Sequence, residues 1–299
     1  MNQRVLAEAR AIGQRMLPHS LRDGRAAAHG LQDQHSLLHD FGRVAARLGP
    51  GLVAGHGTYT LHMHAEAAER LLQVNRGFYQ SFAQPFAETR RRLQPGAAEA
   101  VRDIPTQGAV LDLGCGSGEV ARALAHRKHQ GAYLGLDQCE ELLDEARRMS
   151  LPQAEFLRAD LAVPGWPRLT HPPYARVLAF AVLHHLPGAD RRAEFAALAR
   201  GLLDPQGLFV FSVWQFQTSE RLRRRIVPWQ TIGLEDSQVD PGDHLLDWRH
   251  GGHGLRYVHA FESSELEELA GRAGFRRVRT YHADGQGGRL GRYEVWSVA

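Results

Sequence analysis

The run "AVLDLGCGSGEVARAL", residues 109–124, constrains the fold of this chain more than any other stretch. Ala109 to Leu113 is a short apolar run that suits a buried strand. Gly114, Gly116 and Gly118 follow, and apolar residues then recur at helical spacing. A strand that turns through glycines into a helix start brings backbone N–H groups close to a bound ligand. The spacing is G-x-G-x-G, whereas the dinucleotide fingerprint needs Gly or Ala at its sixth position, here Glu119. No Gly-Lys-Ser/Thr follows, which excludes a Walker loop. A carboxylate is an occupant that suits this loop.

Two further acids stand at strand ends. Asp137 closes "AYLGLD", where a carboxylate can accept both hydrogen bonds of a ribose diol, and Asp160 follows "AEFLRA", where it can accept from an adenine amino group. A lone glycine loop is weak and an aspartate after a strand is often a helix cap. Three such features at consecutive strand ends suit an amino-acid carboxylate, a ribose and an adenine in turn, and S-adenosylmethionine has those three parts.

Around the loop, short apolar runs at 109–113, 132–136, 154–157, 176–182, 207–213, 276–280 and 293–298 alternate with helical patterns at 118–128, 139–149, 190–203 and 263–273. Such alternation predicts an α/β chain, a Rossmann-like and mostly parallel seven-stranded sheet with helices on both faces. A helical pattern over "AERLLQVNRGFYQSFAQPFAETRRRL" is expected to break at Pro85. Residues 1–70, rich in Ala, Arg, His and Leu, read as a mostly helical N-terminal extension of unknown role, and 71–299 as the catalytic domain.

The totals narrow the setting. With 43% apolar and 23% charged residues the chain is an ordinary globular one, and no run approaches the roughly 20 apolar residues of a membrane span. The opening lacks the apolar core of a secretory signal, and Glu8 and Asp23 speak against a transit peptide. Two cysteines, Cys115 and Cys139, suggest no disulfide framework, so a reducing cytoplasm is expected. A net charge of +3 permits an acidic partner without requiring one.

"VLDLGCGSG", "GLDQCEELLDEAR" and "RADL" resemble the first three motifs of class I S-adenosylmethionine-dependent methyltransferases. The resemblance implies an antiparallel seventh strand, which the late pair of strands fits. On these strand ends the implied cofactor set is Asp112, Gly114, Cys115, Gly116, Gly118, Asp137, Gln138, Asp160, Leu161 and Ala181, with Tyr79 and Arg90 closing over the methionine end.

Four further stretches are similar to the tRNA wobble-uridine carboxymethyl methyltransferases: "FYQSFAQPFAETR", "AVLHHLPGADRRAEF…FVFSVW", "RIVPWQ" and "LRYVHAFESSELEEL". The chain departs from that family at Ser117, Ala175, Val258 and "GRYEVW". The resemblance implies methyl-ester formation on 5-carboxymethyluridine at the tRNA wobble position, with tRNA as partner and room for a small activating subunit. A carboxylate is ionised at neutral pH, so no general base is needed. His184, Arg256 and His259 are the implied catalytic residues and Trp214 and Tyr257 the substrate-binding ones. Methylation of a small metabolite, or a silent cofactor-binding partner subunit, are the alternatives.

Other clusters read as bland. "HPPYA" at 171–175 reads as a turn before a strand, "HMH" at 62–64 as a surface pair, and no metal site is expected. Of the pair His184-His185, one is expected to line the pocket, because neighbours in an extended chain face opposite ways. "ETRRR", "ERLRRR" and "GRAGFRRVR" are basic runs that each suit a solvated surface, and together suit RNA phosphates.

Overall fold

The structure, a computed structural model, describes residues 63–88 and 92–299, except for the side chains of residues 86 and 87. Most of the expected 1–70 extension, together with Arg90 and His62, lies outside the described residues.

Helix α1 (Ala65–Glu88) leads in. It bends at Phe82 (φ −124°, ψ 21°) rather than at Pro85 itself. The proline ring excludes the carbonyl of the preceding turn and offers no N–H, so the distortion falls one turn upstream. Helix α2 (Pro95–Arg102) follows. Then come β1 (Val110–Leu113), α3 (Glu119–His126), β2 (Tyr133–Asp137), α4 (Glu140–Arg148), β3 (Ala154–Arg158), β4 (Tyr174–Phe180), α5 (Ala189–Gly201) and β5 (Leu203–Trp214). An inserted segment carries α6 (Glu220–Arg223), β6 (Ile226–Val227), β7 (Asp243–Trp248) and β8 (Gly254–His259). Helix α7 (Ser263–Arg272), β9 (Phe275–Ala283) and β10 (Gly291–Val298) close the chain.

Seven strands form one sheet in the order β3-β2-β1-β4-β5-β10-β9. β1 to β5 are parallel, and β10 runs antiparallel to both β5 and β9. The alternating side chains of the central strands divide between two cores. Leu111, Val177 and Phe209 face α5 and α7, meeting Phe195, Ala199 and Leu266. Val110, Leu178 and Val210 face the other way, meeting Val101 of α2, Leu124 of α3 and Leu143 of α4. β1 therefore reads as an unbroken buried run, its one acid, Asp112, included.

The sequence pattern predicts no strand between β5 and α7, where the structure has a three-stranded antiparallel sheet, β6-β7-β8. β6 is two residues long and β7, "DHLLDW", puts two leucines side by side, so no alternation announces them. Leu245 and Tyr257 of this sheet pack with Ala67 and Leu71 of α1, while Leu246 and Val258 pack with Phe216 and Leu222. β8 is an edge strand, and Asn75 of α1 completes it. The Asn75 side chain accepts from the Tyr257 N–H (2.9 Å) and donates to the Tyr257 carbonyl (3.2 Å), as a neighbouring strand would.

Candidate active site

A cavity of about 500 Å³ opens at the carboxyl ends of the parallel strands, within the range of small-molecule sites. The loop after β1 forms its floor. Gly114 (φ +80°) donates its N–H to the Leu136 carbonyl at 2.7 Å, and a side chain there would collide with Val182. Gly116 (φ +52°) faces open space, so a ligand can approach its backbone closely. Gly118 does not line the cavity. It packs against Met149 and Ala146 and starts α3.

Asp137 fixes this loop to the end of β2. Its carboxylate accepts from the Gly116 N–H and the Cys139 N–H, each at 2.9 Å. Burial raises its pKa, and the backbone N–H groups of Cys139, Gly116 and Gln138 oppose the rise. Asp112, 2% exposed at the end of β1, accepts from the Tyr133 hydroxyl at 2.5 Å. Burial pushes its carboxyl up to about 7 despite that hydrogen bond. After β3, Asp160 accepts from the Ala162 N–H (2.9 Å) and pairs with Arg76 of α1 (2.8 Å).

Asp112, Gly114, Cys115, Gly116, Asp137, Gln138, Asp160, Leu161, Ala181, Tyr79 and Trp214 all line this one cavity. Ala181 does so from a left-handed conformation (φ +58°) that a β-carbon disfavours, with its N–H held by the Ser212 hydroxyl at 3.0 Å. Three carboxylates, an open glycine cradle and apolar walls from Val120, Leu142 and Leu161 fit a cationic adenosine-bearing cofactor such as S-adenosylmethionine.

Four residues expected on the acceptor side do not line the cavity. His184 sits 2% exposed behind it, where its Nδ1 accepts the backbone N–H of Trp214 at 3.3 Å, and His185 lines the cavity instead. β4 ends in a 3-10 turn (Leu183–His185), so the two histidines do not alternate as in a strand. His259, 1% exposed, bridges Asp243 (2.7 Å) and Glu265 (2.9 Å). Burial alone would lower its pKa, but the two carboxylates win and hold it raised, as an imidazolium. The Tyr257 ring is fully buried, its hydroxyl donating to Asp243 at 2.8 Å. Arg256 lies among the rings of Phe78, Trp214 and Trp248.

The cavity also gains residues that the sequence does not announce. The Nδ1–H of His185 donates to the Tyr257 carbonyl (2.9 Å), which leaves Nε2 to accept from the Tyr79 hydroxyl at 2.9 Å in the neutral ring. Asn75, Arg76, Arg92 and Arg221 join the lining. Arg76 and Asn75 lie on the helix that carries Tyr79, so a helical wheel through Tyr79 is the one sequence signal that finds them.

The basic runs separate. In "GRAGFRRVR", Arg272 pairs with Asp190 (2.5 Å), Arg277 with the buried Glu294 (3.1 Å) and Arg279 with Glu99 and Asp103. In "ERLRRR", Arg221 lines the cavity, and in "ETRRR", Arg92 does. "HPPYA" is a turn that hands the chain to β4 at Tyr174. Among the described residues no cluster of His, Cys, Asp and Glu could hold a metal ion, and no helix is long and apolar enough to cross a membrane.

Known proteins share this architecture. The DhpI–SAM–HEP complex aligns with a TM-score of 0.54 at 21% identity, covering 81% of this chain and 99% of that one. A tRNA (carboxymethyluridine(34)-5-O)-methyltransferase of Schizosaccharomyces pombe is 24% identical over 216 residues, 66% of this chain and 86% of its own length. A trans-aconitate 2-methyltransferase of Methylobacterium nodulans is 35% identical over 145 residues, 47% of this chain and 52% of its own. Of several curated relatives that it matches, the chain spans only 19% to 52%. A family model described as a methyltransferase domain matches residues 79–280, more than half of the chain. The chain therefore belongs to the methyltransferase-domain family, with the class I S-adenosylmethionine-dependent methyltransferase fold.

Proposed function

We propose that this chain transfers the methyl group of S-adenosylmethionine to a carboxylate oxygen, and that the acceptor is the 5-carboxymethyl group of a wobble uridine in tRNA. The observation that carries the proposal is that the cavity lining holds both signs of charge on different elements. Asp112, Asp137 and Asp160 lie at the ends of β1 to β3, whereas Arg92 and Arg221 enter the lining from outside those strands. Asp284, which also lines the cavity, has both oxygens engaged, by the Gly96 N–H (3.0 Å) and the Tyr293 hydroxyl (2.6 Å).

When bound, the cofactor supplies a methyl group on a positively charged sulfur. The chain's own groups need only bind, orient and exclude water. Asp137 and the Gly114–Gly116 backbone hold the cofactor end. Arg92 and Arg221 attract the anionic acceptor. The Tyr79 hydroxyl donates to His185 Nε2 at the cavity wall. An ionised carboxylate has no proton to lose, and Nε2 of His185 already accepts from Tyr79, so no side chain has to act as a base.

The relative from S. pombe, matched over most of its length, supports a tRNA acceptor, which would place the protein in the cytoplasm with its substrate. A small polycarboxylate is the second reading, favoured by the trans-aconitate methyltransferase relatives. Both readings end in a methyl ester. The test supplies labelled S-adenosylmethionine together with bulk tRNA from cells lacking the protein, and separately with trans-aconitate. Label on tRNA that mild alkali releases is the expected result. Alkali-resistant label would overturn ester formation, and label on trans-aconitate alone would overturn the tRNA acceptor.

A further inference from the structure

Trp214 ends β5 and lines the cavity, while Arg256 of β8 does not line it. The Arg256 guanidinium carbon lies 4.8 Å from the centre of the Trp214 ring, and 5.1 and 5.4 Å from those of Phe78 and Trp248. Arg256 is 7% exposed, so its charge acts in a medium where water screens it little. Trp214 is held at two further points. Its backbone N–H donates to His184 Nδ1, and its ring packs on Phe216 at 5.7 Å.

We infer that Trp214 is a stacking platform for a planar, carboxylate-bearing acceptor, and that Arg256 is a positioning residue that acts through the indole rather than by touching the acceptor. The inference rests on the carboxylate-acceptor reading above. A guanidinium over one face of an indole holds the ring in place and draws its electron density rearward, which makes the other face more attractive to an anionic π system. The same charge pulls on a carboxylate across the ring without forming the ion pair that would occupy its nucleophilic oxygen. An arginine buried among rings thus serves a transfer reaction better than one hydrogen-bonded to the acceptor. The two acceptors named for the relatives share this chemistry, a flat unsaturated skeleton bearing a carboxylate.

The test measures binding to the full-length protein saturated with S-adenosylhomocysteine, by titration calorimetry. The probes are 5-carboxymethyluridine and trans-aconitate, with 5-methyluridine and tricarballylate as controls lacking the carboxylate and the planarity respectively. The variants are Trp214→Ala, Arg256→Met and the double variant. The expected result is a loss of about tenfold or more in affinity for the bound probe in each single variant, with little further loss in the double and unchanged affinity for S-adenosylhomocysteine. Independent, additive losses would overturn the action of Arg256 through the ring. Should Arg256→Met fail to fold, Trp214→Ala decides: unchanged probe affinity in that variant overturns the platform. Wild-type binding of trans-aconitate alone overturns the tRNA acceptor and leaves the platform standing. Binding of neither probe overturns the platform, and alkali-labile label on tRNA would then still support the reaction.

Discussion

Arg76 of helix α1 pairs with Asp160, two residues beyond β3, at 2.8 Å, and so ties the leading helix to the rim of the cavity. Both side chains are about one-third exposed, so the pair contributes at most about 1 kcal/mol to stability. Arg76→Ala is expected to weaken S-adenosylhomocysteine binding several-fold with a nearly unchanged melting temperature. A fall in melting temperature with unaltered affinity would show that the pair only staples the helix.

If S-adenosylmethionine binds beside Asp112, its binding should depend on pH. Its carboxyl in the folded chain titrates at about 7, above the ordinary carboxylate value, so the native state retains a proton that the unfolded chain loses. Stability therefore falls as pH rises from about 4 to about 7 and is flat above that. A cation in the cavity favours the ionised carboxylate, so S-adenosylmethionine binding should release a proton and tighten as pH rises from 6 to 8. Asp112→Asn should abolish that slope, measured by calorimetry in buffers of different ionisation enthalpy. A slope that survives in the variant would assign the proton to another group.

The His259 imidazolium, held between Asp243 and Glu265, gives a dependence at higher pH. A histidine whose folded pKa is raised contributes stability that is fully present below its unfolded value of about 6.5 and is lost as pH rises through the folded value. The wild-type melting temperature should fall above pH 6.5, and His259→Gln should flatten this part of the profile while lowering stability at pH 6. Since His259 does not line the cavity, cofactor affinity in the variant should be unchanged wherever it is folded.

If tRNA is the acceptor, its phosphates should meet the run that reaches the cavity. The variant Arg221→Gln with Arg223→Gln should weaken tRNA binding and reduce the salt slope by about one for each phosphate that is no longer neutralised. Arg279→Gln serves as the control, because Arg279 is paired with Glu99 and Asp103. Equal weakening by both variants would move the RNA-binding surface away from α6.

The sequence by itself determined the central sheet and the loop at its heart. Strand alternation, the G-x-G-x-G turn and the acids at 137 and 160 are local signals, and each was readable because a strand, a turn and a strand end follow from a few neighbouring residues. Tertiary structure alone decided what covers that loop. Asn75 and Arg76 act through a strand edge and a carboxylate far along the chain, and no local spacing announces such partners. His184 and His185 exchanged places because β4 ends in a 3-10 turn, whose residues step around an axis instead of alternating. Arg256, His259 and Tyr257 were expected on the acceptor side only through the resemblance to the wobble-uridine methyltransferases. Neighbours on α1, β5, β7 and α7 instead surround each of them with rings or carboxylates, and burial of a charge demands such partners before it permits any other role.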